Sequence, residues 1–251
     1  MDERLTVIIP AYNEAEHIFA NVAQVCATLT EASFDVIVAD DGSLDATTPE
    51  AQRLPAAGYP VRCVRQETNR GKGAALAYGF EFASGLWIAF LDADLEIEPA
   101  YVPRLLAALQ AERADAIIGV KTFAADCPFP WSRRVLSRLY RQLVSLLFGL
   151  PVSDTQTGIK VFRREVLEAV LPNLRVRRFA FDVELLIAVM RLGYRIAEYP
   201  VTVTYRRRGR GGRIGLGQMA RMLYDTLAIY FLNRRPQPML VRRGHEAKPP
   251  E

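Results

Sequence analysis

The sequence predicts an α/β protein with a mostly parallel central sheet covered by helices on both faces. Three observations carry this. Short apolar, β-branched runs such as residues 5–10 and 34–39 lack the polar alternation of a half-exposed strand, as expected of strands buried on both sides. Helical patterns alternate with such runs along roughly the first half of the chain, joined by short links. The composition agrees: 251 residues, 50% hydrophobic and 24% charged, suffice for a sizeable core and exclude wholesale disorder.

Residues 5–10 read as the first strand, and Asn13, Glu14 and Glu16 open an amphipathic helix reaching about Leu29. Residues 34–39 form a second strand that ends in Asp40, Asp41, Gly42 and Ser43. A helix is expected from near Asp45, a third strand over 61–65, a helix over 74–83 and a fourth strand over 86–91. Residues 99–110 suit a helix with Pro99 near its first turn, and 115–120 return to strand. After about residue 121 the pattern changes. A loop at 126–130 precedes an arginine-bearing amphipathic helix over 131–149, a strand over 158–163 and a helix over 182–192. Two short strands broken at Pro200 are expected within 196–205, then a Gly/Arg loop and a last helix over 216–232. No repeat or linker is visible, so residues 1–233 are expected to form one domain, and the Pro- and Arg-rich 234–251 a disordered basic tail.

The net charge is only +4, but arginines gather at 133–141, 175–178 and 206–213, which suits phosphates, a membrane surface or nucleic acid. No nucleic-acid recognition motif accompanies them, so nucleic acid is not an expected partner. Cys26, Cys63 and Cys127 are odd in number and lack zinc-ligand spacing, which fits a reducing cytosol. The first residues lead straight into a strand, so no signal peptide is expected, and no run approaches the roughly 18 apolar residues of a spanning helix. His17 and His245 are the only histidines, and neither accompanies a Ser or Cys nucleophile pattern.

The fourth strand breaks off in Asp92-Ala93-Asp94. Two carboxylates two residues apart on an extended chain face the same side and can hold a hard divalent cation, with substrate phosphates completing its shell. Gly71-Lys72-Gly73 fails as a Walker loop, because Gln66 and Gly73 stand where Gly and Ser or Thr are needed. It remains either a helix start suited to an anion or a tight turn. Taken alone, Asp40-Asp41-Gly42-Ser43 reads as an ordinary turn sooner than as a site. Because ligands sit at the carboxyl ends of strands in such sheets, residues 10–14, Asp40, Asp41, Asp92 and Asp94 should line one crevice.

Taken in order, residues 7–14, 38–45, 69–73 and 92–94 together resemble glycosyltransferase family 2, with its GT-A nucleotide-sugar fold, over roughly residues 5–205. Residues 154–162 and 179–185 are more specifically similar to polyprenyl-phosphate sugar synthases, the dolichyl-phosphate glucose branch more than the mannose branch. The resemblance implies that Pro10, Tyr12 and Glu14 hold the nucleoside, with Asp41 beside its base or ribose and Asp40 nearby. It implies Mg2+ or Mn2+ on Asp92, Asp94 and Glu96, although Glu96 replaces the glutamine often found there. Arg133 and Ser137 resemble an acceptor-phosphate site, and Lys72, Ala93, Arg206 and Arg213 fall in segments implied to meet phosphates. The implied donor is UDP-glucose or GDP-mannose, and residues 121–233 would face a polyprenyl phosphate at the inner face of the membrane.

The chemistry of transfer leads the same way. A phosphate acceptor is already anionic and needs arginines to position it, whereas a hydroxyl acceptor needs a base, for which Asp154, Asp182 or Glu184 would have to serve. Attack opposite the leaving diphosphate would invert the anomeric centre. On the expected helix over 131–149, Val135, Leu139, Leu143, Leu146 and Leu147 alternate with arginines. Met219, Met222, Leu223, Leu227 and Tyr230 or Phe231 mark a stripe on the last helix. These faces suit either a membrane interface or packing on the core or a second subunit.

Overall fold

The computed structural model describes residues 4–30, 33–123, 131–150, 152–178, 180–204 and 216–233. The strands are β1 (Leu5–Ala11), β2 (Phe34–Asp40), β3 (Val61–Arg65), β4 (Trp87–Leu91), β5 (Ala116–Phe123), β6 (Ile159–Arg163) and β7 (Ile196–Val203). The helices are α1 (Ile18–Thr28), α2 (Thr47–Ala56), α3 (Lys72–Phe80), α4 (Tyr101–Ala111), α5 (Trp131–Phe148), α6 (Arg164–Val170), α7 (Phe181–Arg191) and α8 (Leu216–Asn233). One sheet holds all seven strands in the order β3-β2-β1-β4-β6-β5-β7. β1 pairs in parallel with β2 and β4, and β2 with β3. β6 runs antiparallel to both β4 and β5, and β7 pairs in parallel with β5.

Side-chain parity divides the core. Val7 and Ile9 of β1 and Ala89 and Leu91 of β4 pack with Ile18, Val22 and Val25 of α1 and with Val102 and Leu105 of α4. Ile8, Ile88 and Phe90 face the other way, towards Leu76 of α3, Val166 of α6 and Phe181 and Leu185 of α7. A third cluster joins Ile118 to Val144 of α5, Val183 and Leu186 of α7 and Ile229 of α8.

Three departures from the sequence reading have local causes. α1 starts at Ile18, because Asn13 takes a left-handed φ of 56° and the preceding amides are engaged elsewhere. Asn13 N–H donates to Ser43 Oγ (3.0 Å), Glu14 N–H to Thr47 Oγ1 (2.7 Å) and Ala15 N–H to Asp45 Oδ2 (3.1 Å). β7 passes unbroken through Pro200. The Thr202 and Thr204 amides donate away from β5, to Tyr101 Oη and the Glu96 carbonyl. Period-two alternation puts the missing N–H of Pro200 on that same outer edge, where no ladder bond is lost. α6 and the short 3-10 turn Leu171–Asn173 fill a segment to which the sequence reading assigned no element. The expected tail at 234–251 and the Gly/Arg loop lie outside the described residues, apart from the first turn of α8.

Phe162 is fully buried on β6 and packs its ring on Phe90, centroids 5.3 Å apart. Phe162→Ala is expected to cost about 3–5 kcal/mol, read as a lowered urea midpoint at unchanged slope.

Candidate active site

The strand order explains where the polar residues meet. β2, β1 and β4 are neighbours and parallel, so their carboxyl ends lie side by side. β6 is antiparallel, so its beginning, not its end, joins them: Leu91 is in register with Ile159, and Asp92 N–H donates to the Gly158 carbonyl (3.1 Å). A cavity of ≈ 670 Å³ opens over these ends, lined among others by Pro10, Tyr12, Glu14, Asp41, Lys72, Asp92, Ala93 and Asp94. The structure therefore gathers these sequence-predicted residues in one place.

Asp40 is the exception. It is fully buried and does not line the cavity. Its carboxylate accepts Ser43 N–H (2.8 Å) and Ser43 Oγ (2.6 Å), and also bonds Thr48 Oγ1, so it builds the turn after β2. Asp41 faces the cavity and also accepts two amides, Arg70 N–H and Gly71 N–H, each at 2.8 Å. The loop before α3 is thereby tied to the end of β2.

Packing accounts for both glycines of the Gly71-Lys72-Gly73 segment. Gly71 has φ +104°, and a Cβ there would lie 2.6 Å from the Arg177 carbonyl oxygen. A Cβ on Gly73 would enter the Phe181 ring. The Ala74 amide, near the helix start, donates to the Arg177 carbonyl (3.2 Å), so part of the donor set an anion would use is already engaged. Lys72 reaches across to Asp92, Nζ to Oδ1 at 2.6 Å.

That contact orders the site's electrostatics. Burial opposes the charge on Lys72, but Asp92 and then Asp182 outweigh it and hold the ammonium above its ordinary range. Burial and then the charge on Asp92 push the Asp94 carboxyl up, opposed by the Glu96 amide and more weakly by the charges on Lys72 and Lys121. Two hard oxygen donors, one of them short of positive charge, fit a divalent cation. Glu96 shares a small adjoining recess with Asp92, Asp94, Lys121 and Gly158, and it is absent from the lining of the larger cavity. Among the described residues no three His, Cys, Asp or Glu side chains converge to hold an ion by themselves. A hard divalent ion takes about six or more oxygen ligands, so Asp92 and Asp94 alone would leave most of its positions to other donors.

Arg133 and Ser137 lie one turn apart in α5, with their side chains outside the described part. Arg206 and Arg213 are also outside the described residues. Sequence reasoning missed Arg178, which lines the cavity because the segment before α7 packs on Gly71. It also missed the reason for Gly158: a Cβ there would stand 2.1 Å from Asp92 Oδ2.

The sequence pattern of glycosyl transferase family 2 matches residues 6–171. The chain belongs to glycosyltransferase family 2. Its fold is accordingly the GT-A fold. It is 34% identical over 204 residues to glycosyltransferase AglD of Haloferax volcanii, 78% of this chain but 32% of that protein, so it spans about a third of AglD. It is 30% identical to the undecaprenyl-phosphate mannosyltransferase of Micrococcus luteus, covering 84% of this chain and 90% of the relative. With the dodecaprenyl-phosphate galacturonate synthase of Rhizobium johnstonii it shares 27% identity, over 92% of this chain and 67% of that enzyme. Among solved structures, glucosyl-3-phosphoglycerate synthase from Mycobacterium tuberculosis, in complex with Mn2+, UDP and glucosyl-3-phosphoglycerate, superposes with a TM-score of 0.71 at 25% identity. That match covers 92% of this chain and 80% of the synthase.

Gly158→Ala is expected to push the Asp92 carboxylate aside and lower the transfer rate by on the order of a hundredfold. A melting temperature close to that of the parent, measured alongside kcat, would separate this from unfolding.

Proposed function

We propose that residues 1–233 act as one catalytic unit that moves a hexose from a nucleoside diphosphate sugar to a polyprenyl phosphate, with inversion at the anomeric carbon. The observation that carries the reading is the acidic pair Asp92/Asp94, with Lys72 beside it, in a cavity that Pro10, Tyr12, Glu14 and Asp41 also line. Asp92 and Asp94, with Glu96 nearby, would hold Mg2+ or Mn2+, which as a Lewis acid would offset the charge of the departing diphosphate. Lys72 and Arg178 add fixed positive charge around the same cavity. The bond from anomeric carbon to diphosphate oxygen breaks with its electron pair leaving on the nucleotide, while an acceptor phosphate oxygen forms the new bond from the opposite face. Arg133 and Ser137, with Arg206 and Arg213, are assigned to grip the acceptor phosphate. The donor is read as UDP-glucose or GDP-mannose.

The second reading, transfer to a hydroxyl, draws on the phosphoglycerate synthase likeness. It needs a free base, and each candidate carboxylate is engaged. Asp182 is paired with Lys160 (2.7 Å), Glu184 accepts the amides of Arg175 and Val176, and Asp154 accepts that of Gln156. The relatives named for undecaprenyl and dodecaprenyl phosphate favour the lipid acceptor.

No helix among the described residues is long and apolar enough to cross a membrane. The α5 and α8 faces divide the two alternatives left by the sequence. Val144 and Ile229 pack inward, and Tyr140 Oη meets Thr226 Oγ1 at 2.8 Å. Leu139 and Leu146 on α5 and Leu223, Tyr224, Leu227 and Phe231 on α8 stay exposed, which supports peripheral attachment to a membrane, for which the inner face is proposed.

Incubation with polyprenyl phosphate, Mn2+ and a panel of UDP- and GDP-sugars should yield a lipid-linked sugar whose anomeric configuration is inverted by NMR. No lipid product across the panel would sink the proposal. Arg133→Ala should raise the acceptor KM by about tenfold, the loss of one charge-assisted contact, and leave the donor KM unchanged. If the acceptor is a hydroxyl compound, that substitution should have little effect. Leu223→Glu with Phe231→Glu should abolish co-flotation with anionic vesicles without lowering the melting temperature.

A further inference from the structure

We infer that Lys160 and Lys121 are positioning residues whose ammonium groups hold consecutive carbonyls of the 154–158 loop and so fix Gly158 against the Asp92 carboxylate. The inference rests on the proposed part of Asp92 in binding the donor's cation, and it deepens that reading.

Lys160 lies on β6 opposite Phe90, and its neighbours Ile159 and Val161 face the α1/α4 side. Parity turns Lys160 to the α3/α7 side, into a place fit for an apolar residue. It is 1% exposed, among the largest fully buried side chains of the protein. Its ammonium donates to Asp182 Oδ1 (2.7 Å) and to the Thr157 carbonyl (2.5 Å). Lys121, at the same end of β5, donates to the Gln156 carbonyl (3.2 Å). Asp154 Oδ1 accepts the Gln156 amide (3.1 Å), which closes the loop from within. The next residue is Gly158, whose carbonyl accepts Asp92 N–H and whose Cα faces the Asp92 carboxylate.

A buried ion pair is a weak source of stability, because the cost of desolvating two charges consumes most of their attraction. Burial draws the Lys160 ammonium down, while Lys160 and Lys72, working against burial, hold the Asp182 carboxyl below its ordinary range. Stability alone would be served as well by two apolar side chains. What an apolar pair could not supply is a donor aimed at the Thr157 carbonyl. With a second lysine on the adjacent carbonyl, the loop is restrained at the two residues before the glycine that touches Asp92. Asp182 gives the ammonium its fixed direction. It also ties the loop to the first turn of α7, the helix that begins with the Phe181 ring lying against Gly73.

The test uses Lys160→Met combined with Asp182→Leu, which removes the pair without leaving a lone buried charge, and Lys121→Met as a milder single variant. Mn2+ affinity in the presence of UDP is read by electron paramagnetic resonance, and UDP affinity without metal by calorimetry. Loss of an outer partner of a metal-binding carboxylate should weaken Mn2+ binding by about tenfold or more in the double variant, and less in Lys121→Met. Metal-free UDP binding should stay within about twofold, far short of a tenfold step in affinity. Unchanged Mn2+ affinity in both variants, or a parallel fall in metal-free UDP binding, would overturn the inference. If the double variant does not fold, Lys121→Met decides alone. No lipid is present in these measurements. A wild-type protein that binds Mn2+ with UDP yet transfers nothing to polyprenyl phosphate would therefore defeat the acceptor reading and leave this one standing.

Discussion

Two carboxylates at the end of one buried strand repel each other, and much of the surrounding molecule is arranged to keep that charge in place. Lys72 answers Asp92 directly, at 2.6 Å. Behind it stand Asp182 and Lys160, so the charges alternate in sign from the cavity into the core. This alternation depends on strand parity: it sends Asp92 and Lys160 to the face of the sheet covered by α3 and α7, where Lys72 and Asp182 begin their helices. A one-residue slip of β6 against β4 would turn Lys160 to the opposite face and leave Asp182 without its partner.

How much of this was legible in the sequence varied with the range of the interaction. The strands with continuous apolar runs were readable because burial on both faces leaves no polar alternation, and their order of succession was enough to gather Tyr12, Asp41, Asp92 and Asp94. Asp40 and Asp41 show the limit. They are adjacent and chemically identical, yet one builds the turn and the other meets the cavity. Only the pleat, together with the position of Thr48, separates them. The antiparallel sense of β6 was also hidden, because a short apolar strand carries no mark of its direction. With it were hidden the approach of Gly158 to Asp92 and the purpose of a lysine inside a strand.

The region after β5 behaves differently. In α5 and α8 the apolar positions exceed what one contact stripe can absorb, which is why periodicity left two destinations open. The structure divides the residues between them. Tyr140, Val144, Thr226 and Ile229 join the helices to the core, and Leu146, Leu223 and Phe231 remain outward beside them. One pair of helices thus carries both an inward and an outward apolar surface.

The hold of Asp41 on the Arg70 and Gly71 amides has a bearing on how a nucleotide is received. A glycine-bearing loop beside a binding cavity would ordinarily sample many backbone states, and a ligand that ordered it would lose part of its affinity to that ordering. Here the carboxylate selects one state before any ligand arrives, and the entropy is surrendered during folding. That side of the cavity is therefore preorganised, and a ligand received there would dock to a surface already set.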